Sequence, residues 1–254
     1  MTHLRELILS SAIALSASAA LPASAHADAK NVVLVHGLNM DGGAWRGVHE
    51  RLTADGYSVT VVQMPLTSAS DDIAAARRAI EAQDGPVVLV GHSYGGMVIS
   101  ETGTGPNVAA LVYVASFLPE KGESLGALNA SIPTDFDPSA IKVSADGFYV
   151  LERDAWIKSV ANDIPEADAN YTADFQTAAH TSIFGYQAEV SAWKDKPSWA
   201  VIPTRDLTVA PQLQHKMAAR AGASVTEIEA GHLVNMSHPD AITDIIKQAA
   251  ETVD

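Results

Sequence analysis

Three residue types that together can activate a hydroxyl fall at the ends of apolar segments. Ser93 lies in "PVVLVGHSYGG", Asp206 in "SWAVIPTRDLTV" and His232 in "SVTEIEAGHLVNMSHP". A serine hydroxyl is a poor nucleophile until a neighbouring base takes its proton, and that base needs a carboxylate to orient it. Ser93 is framed as Gly91-x-Ser93-x-Gly95, with a strand-like run before it and the helix-like "GGMVISET", stopped by Gly103, after it. A sharp strand-to-helix turn holds its middle residue in a strained conformation with the side chain exposed. The flanking positions must be small because the backbone passes close to its neighbours there. The chain order Ser93, Asp206, His232 is the order expected when such a turn serves acyl transfer. Rivals remain for two roles. His238 is a second base, although it precedes Pro239 and suits a helix start; Glu120 and Asp195 are alternative acids. His36 and His92 flank turns and read as structural.

Acyl transfer also needs backbone N–H groups aimed at the oxygen that gains charge in the tetrahedral intermediate. Tyr94, the residue after the nucleophile, supplies one at the start of its helix. The glycine-containing loop "HGLNMDGGAW" supplies the other, with Leu38 the best candidate. Other chemistries lack their residues. "GTGPN" is short of the third glycine of a dinucleotide fingerprint, and neither a Walker-type Gly-Lys-Ser/Thr nor a His-Glu-x-x-His is present. No cofactor and no metal is implied.

The elements that must position these residues alternate along the chain. Residues 31–37, 57–64, 86–91, 108–116, 198–204 and 224–230 read as strands, most of them continuously apolar, as expected of strands buried on both faces. Helical periodicity lies between them: Trp45, Val48 and Leu52; an Ala-rich segment from Asp71 to Ile80; and a helix opened by Pro239 with Ile242, Ile245, Ile246 and Ala249 on one face. The alternation predicts an α/β fold with a parallel sheet covered on both sides. The rhythm breaks from Phe117 to about Trp193, where no clear buried strand is seen. This stretch holds all five phenylalanines and ten of the fifteen aromatic residues, so it reads as an insertion between the fourth and fifth strands. A cap of that kind, over about 118–195, would line an apolar pocket at the carboxyl edge of the sheet. Phe117, Trp156 and His180 are its candidate substrate contacts.

Composition narrows the partners. The 254 residues, 47% of them apolar, suit one α/β-sized domain spanning 30–254. A formal charge of −14 argues against nucleic acid or an anionic membrane surface, which both need a basic footprint. The first residues carry Arg5, an apolar segment from Leu7 to Leu21, and small residues around Ala25 and Ala27. They read as a secretory signal over 1–25 cleaved after Ala25 or Ala27, too short and too serine-rich to remain as a membrane anchor. The absence of cysteine leaves a core that needs no disulfide in a periplasmic or secreted location.

Together, "VVLVHGLNMDGGAW", "LVGHSYGGMV", "YVASFLPEKGES" and "AGHLVNMSHP" resemble the α/β-hydrolase superfamily, and within it the compact branch of plant methyl esterases and hydroxynitrile lyases with their bacterial relatives. The resemblance covers nearly the whole mature chain. It implies an α/β-hydrolase fold with six mainly parallel strands, a cap after the fourth, and Ser93, Asp206 and His232 as triad. In the lyases of this branch a threonine replaces the glycine of the first His-Gly, and a lysine follows the catalytic histidine. Here those places hold Gly37 and Leu233, which makes Leu233 a further candidate substrate contact and favours ester hydrolysis. The expected substrate is a small apolar or aromatic ester handled through an acyl-enzyme. Lactone opening, amide cleavage, cyanohydrin cleavage and ligand binding without catalysis are the alternatives. The cap surface is a candidate for pairing into a homodimer.

Overall fold

The structure, a computed structural model, describes residues 29–252; the predicted signal segment lies outside the described residues. Six strands form one sheet: β1 (Asn31–Val35), β2 (Ser58–Val62), β3 (Val87–His92), β4 (Val108–Val114), β8 (Ser198–Pro203) and β9 (Ser224–Ile228). Their order is β2-β1-β3-β4-β8-β9, and every pairing is parallel. The predicted strands are all present, each ending within three residues of its expected bounds.

Side chains alternate across each strand with period two, and here both faces are apolar. Val33, Val35, Leu89, Leu111 and Tyr113 meet one core, facing α2 (Ala69–Glu81), α3 (Gly95–Thr102) and α7 (Pro211–Ala221). Val32, Leu34, Val88, Val90 and Val112 meet the other, with Val48 and Leu52 of α1 (Arg46–Ala54) and Ile242, Ile246 and Ala249 of α9 (Pro239–Thr252). That double burial explains why the central strands read as unbroken apolar runs. Of the edge strands, β9 is largely exposed and β2 mostly half-buried, and both are correspondingly more polar. Ser68 caps α2 by accepting from the Asp71 amide, and Gly103 follows α3 as its C-cap. An ion pair from Arg51 to Asp240 ties α1 to the first turn of α9.

Between β4 and β8 the chain leaves the sheet. This segment carries α4 (Leu125–Ser131), α5 (Arg153–Ser159) and α6 (Glu166–Asp174), and a small antiparallel sheet of β5 (Ile141–Val143), β6 (Phe148–Leu151) and β7 (Ala179–His180). Sequence patterning missed these strands because they are two to four residues long and only Tyr149 and Ala179 among them are buried. The last short helix, α8 (Val234–Ser237), precedes α9. Among the described residues no helix is long and apolar enough to cross a membrane.

The chain leaves β1 toward β2 on one side and returns through β3 toward β4 on the other, so the strand order reverses between β1 and β3. Loops beyond the carboxyl ends of strands diverge at such a point and leave a crevice. Gly37 and Leu38 follow β1 there, and Ser93 follows β3.

Candidate active site

Ser93 sits in the turn between β3 and α3 with φ at +55°, the left-handed region that a serine seldom adopts. Its surroundings hold it there. The Ser93 amide donates to Val114 O at 3.1 Å, and the Ser93 carbonyl accepts from Ser116 Oγ at 2.7 Å and Phe117 N at 3.3 Å. The glycines around it are required by space. A Cβ on Gly91 would stand 2.6 Å from Gly95 O, one on Gly95 2.7 Å from Val35 O, and one on Gly96 2.0 Å from Ser116 Oγ.

The loops after β8 and β9 bring the two expected partners to Ser93. His232 Nε2 is 3.0 Å from Ser93 Oγ, and His232 Nδ1 is 2.9 Å from Asp206 Oδ2. The carboxylate can only accept, so Nδ1 carries the proton and Nε2 faces the hydroxyl with its lone pair. Asp206 is buried yet fully served: Oδ1 accepts from the amides of Thr208 and Val209, and Oδ2 from Gln214 Nε2 at 2.8 Å as well as from His232. The arrangement can pass the Ser93 proton to His232 while the imidazole is held in one tautomer.

The rivals lie elsewhere. Glu120 pairs with Lys194 and Arg220, Asp195 is exposed, and His238 bonds to Ser237 Oγ. His36 and His92 are buried buttresses. Met64 N donates to His36 Nε2 while His36 Nδ1 bonds the Gly37 carbonyl, fixing the loop after β1; burial keeps this ring neutral. His92 Nε2 bonds the carbonyl of His232 at 2.9 Å, and burial, reinforced by the neighbouring His232, pushes the His92 pKa down to about 3. His92 is therefore an uncharged donor that pins the His232 backbone.

Leu38 and Tyr94 both border this point. Neither backbone N–H donates to an acceptor among the described residues, which leaves both free for an incoming oxygen. The Tyr94 ring points away into the core, where its hydroxyl donates to the buried Asp72 at 2.8 Å. Asn39, the next residue in the loop, adopts φ of +57° and was not anticipated from sequence. Its Nδ2 donates to Tyr149 O and Thr177 O, both at 3.1 Å, and its carbonyl accepts from Thr177 N. The loop after β1 and the segment inserted between β4 and β8 are thereby stitched together.

Above Ser93 and His232 opens a cavity of about 310 Å³. Leu38, Phe117, Trp156, Val209 and Leu233 line it, as do Tyr149, Phe136 and Phe184. Five of the ten aromatic residues between Phe117 and Trp193 thus line it; Phe148, Tyr171, Phe175, Tyr186 and Trp193 do not. Phe117, Trp156 and Leu233 lie where expected. Trp156 satisfies its Nε1 on Thr172 Oγ1 and presents only apolar surface. His180 does not reach the cavity. It ends β7, where Nδ1 bonds Ser182 and the ring stands edge-on to Phe148 at 5.1 Å, so its role is to cap the following turn. Gln214 was missed as well. A glutamine on the buried stripe of α7, between Leu213 and Met217, is the sequence signal that could have revealed it.

This combination of parallel sheet, elbow and convergent loops defines a protein class. Residues 32–245 match the alpha/beta hydrolase family, and the chain belongs to it. It is similar to the alpha/beta hydrolase nvfD of Aspergillus novofumigatus, 28% identical over 81% of this chain and 90% of that one. A carbendazim hydrolyzing esterase of Nocardioides sp. is 32% identical over 57% of this chain and 64% of its own. Among solved structures, a pyrethroid hydrolase from Sphingobium faniae shares the fold at a TM-score of 0.77 and 19% identity, covering 88% of this chain and 98% of the other. The esterase-type relatives support an enzyme of the alpha/beta hydrolase class.

Proposed function

We propose that this chain is a serine esterase that cleaves small apolar or aromatic carboxylic esters through an acyl-enzyme. The observation that carries the reading is His232 bridging Ser93 Oγ and Asp206 Oδ2 at the floor of an apolar cavity. In this mechanism Ser93 Oγ attacks the ester carbonyl carbon as its proton passes to His232 Nε2. Asp206 holds the imidazolium, and the Leu38 and Tyr94 amides receive the oxyanion. Collapse breaks the bond to the alcohol, which leaves with the proton from His232. Water then repeats the sequence on the acyl-serine, with His232 again as base, and the acid departs. The esterase name of the Nocardioides relative supports the same reaction class.

Two positions weigh against cyanohydrin cleavage. A Cβ on Gly37 would stand 2.9 Å from Ser93 Cβ and 3.0 Å from His92 Nδ1, so a threonine there does not fit without displacing the elbow. Leu233 is buried and apolar where the lyases of the branch carry a cation for the leaving cyanide. Turnover of a short p-nitrophenyl ester tests the proposal. The Ser93→Ala variant should lose about 10⁴-fold or more in kcat, since removal of a triad member leaves only the residual effect of the oxyanion hole and binding. Undiminished turnover would defeat it.

A further inference from the structure

Tyr149 is a polar intrusion in an apolar chamber. It lies on β6, is 3% exposed, lines the cavity and packs its ring against Phe184 at 5.4 Å between centroids. Its backbone is fixed from below by Asn39. Its hydroxyl bonds to nothing among the described residues. Nor is that oxygen sealed in the core, as the unpartnered Trp45 Nε1 and His92 Nδ1 are. The little surface that Tyr149 leaves open therefore includes its hydroxyl, on a residue that lines the cavity. Burial raises the phenol pKa, so the group stays protonated and offers a donor.

Other polar residues that line the cavity have partners of their own. Thr208 Oγ1 donates to Ser159 O, Asn39 Nδ2 is shared between two carbonyls, and Thr134 Oγ1 accepts from Phe136 N. Asn129 is half-buried, within reach of solvent. A phenol held dry without an acceptor is costly, whereas the same phenol opposite an acceptor on the ligand gives orientation and selectivity.

We infer that Tyr149 is a specificity residue and that the preferred esters carry a second hydrogen-bond acceptor, a carbonyl or ether oxygen on an otherwise apolar or aromatic frame, which Tyr149 Oη engages. The inference rests on the esterase reading for the word ester, not for the contact itself. Tyr149→Phe removes one oxygen and keeps the ring, so the fold is retained.

Two readouts on the same compounds test it: methyl 3-acetylbenzoate and methyl 4-acetylbenzoate, each against its ethyl-substituted isostere. Calorimetric binding is measured on Ser93→Ala with and without Tyr149→Phe, and hydrolysis on the native protein and Tyr149→Phe. At least one acetyl ester should bind and turn over about 10- to 100-fold better than its isostere, and Tyr149→Phe should erase that preference while leaving the ethyl esters within about threefold. Hydrolysis with no acetyl preference, or a preference that survives Tyr149→Phe, overturns the inference and leaves the esterase reading standing. A Tyr149-dependent binding preference without any hydrolysis does the reverse.

Discussion

Gly37→Ala isolates space from backbone conformation. Gly37 does not occupy the left-handed region, so alanine meets no torsional penalty there. What it meets is Ser93 Cβ at 2.9 Å and His92 Nδ1 at 3.0 Å, where carbon contacts normally settle at about 3.5–4.0 Å. Either the loop after β1 or the elbow must yield by about 0.5–1 Å. His36 resists on the loop side through its bond to the Gly37 carbonyl, and the Val114, Ser116 and Phe117 contacts resist on the elbow side. Overpacking of this kind costs about 1–3 kcal/mol of stability. The larger effect falls on the reaction, because Leu38 is the next residue and its amide moves with the loop. A misplacement of about 1 Å costs roughly 10²-fold in rate, comparable with losing one oxyanion donor. Steady-state kinetics on a short p-nitrophenyl ester should show kcat down by about 30- to 300-fold with KM changed by less than about threefold, alongside a lowered Tm. Native kcat in Gly37→Ala would refute the claim that this close approach sets the oxyanion geometry.

Two other substitutions probe the support around the site. Gln214→Met removes the amide that donates to Asp206 Oδ2 and to the Val209 carbonyl; kcat should fall about tenfold with KM nearly constant, since a bond to a charged acceptor is lost, and a lowered Tm with native kcat would contradict the positioning role. Asp72→Asn tests a buried carboxyl whose pKa burial raises to about 6, against the opposing bonds from Leu66 N–H and Tyr94 O–H. A carboxyl with a raised folded pKa contributes stability below about pH 4 that is lost as pH rises through about 6. The asparagine variant, scanned by calorimetry, should therefore gain in Tm relative to the native chain between pH 4 and pH 7, and a gap constant with pH would contradict this.

How far the molecule was legible in its sequence follows from what each residue had to satisfy. The central strands were legible because burial on both faces forbids polar residues over four to six positions, as in Val87–Val90. The elbow was legible because three glycines there answer to backbone atoms less than 3 Å away, a demand that no other residue meets. Asp206 and His232 followed from their place just past strand ends. The cap was legible only as an interruption. Its strands are too short for alternation to register, and its aromatics serve cavity and cap core alike, so composition could not separate Tyr149 and Phe184, which line the cavity, from His180, which turns away. Asn39 and Gln214 escaped for a related reason. Each acts through a single side-chain amide, Asn39 reaching carbonyls 110 and 138 residues away and Gln214 reaching back 8 residues to Asp206, and neither leaves a periodic trace.

The most direct measurement of the central claim is covalent labelling by a fluorophosphonate, followed by mass spectrometry of the peptides. A nucleophilic Ser93 should take up one equivalent with the phosphonyl mass on the peptide containing "GHSYGG", in step with loss of ester hydrolysis, and His232→Ala should label far more slowly. Ester turnover that survives full exposure to the reagent, or a label that lands on another residue as activity disappears, would contradict the assignment of Ser93.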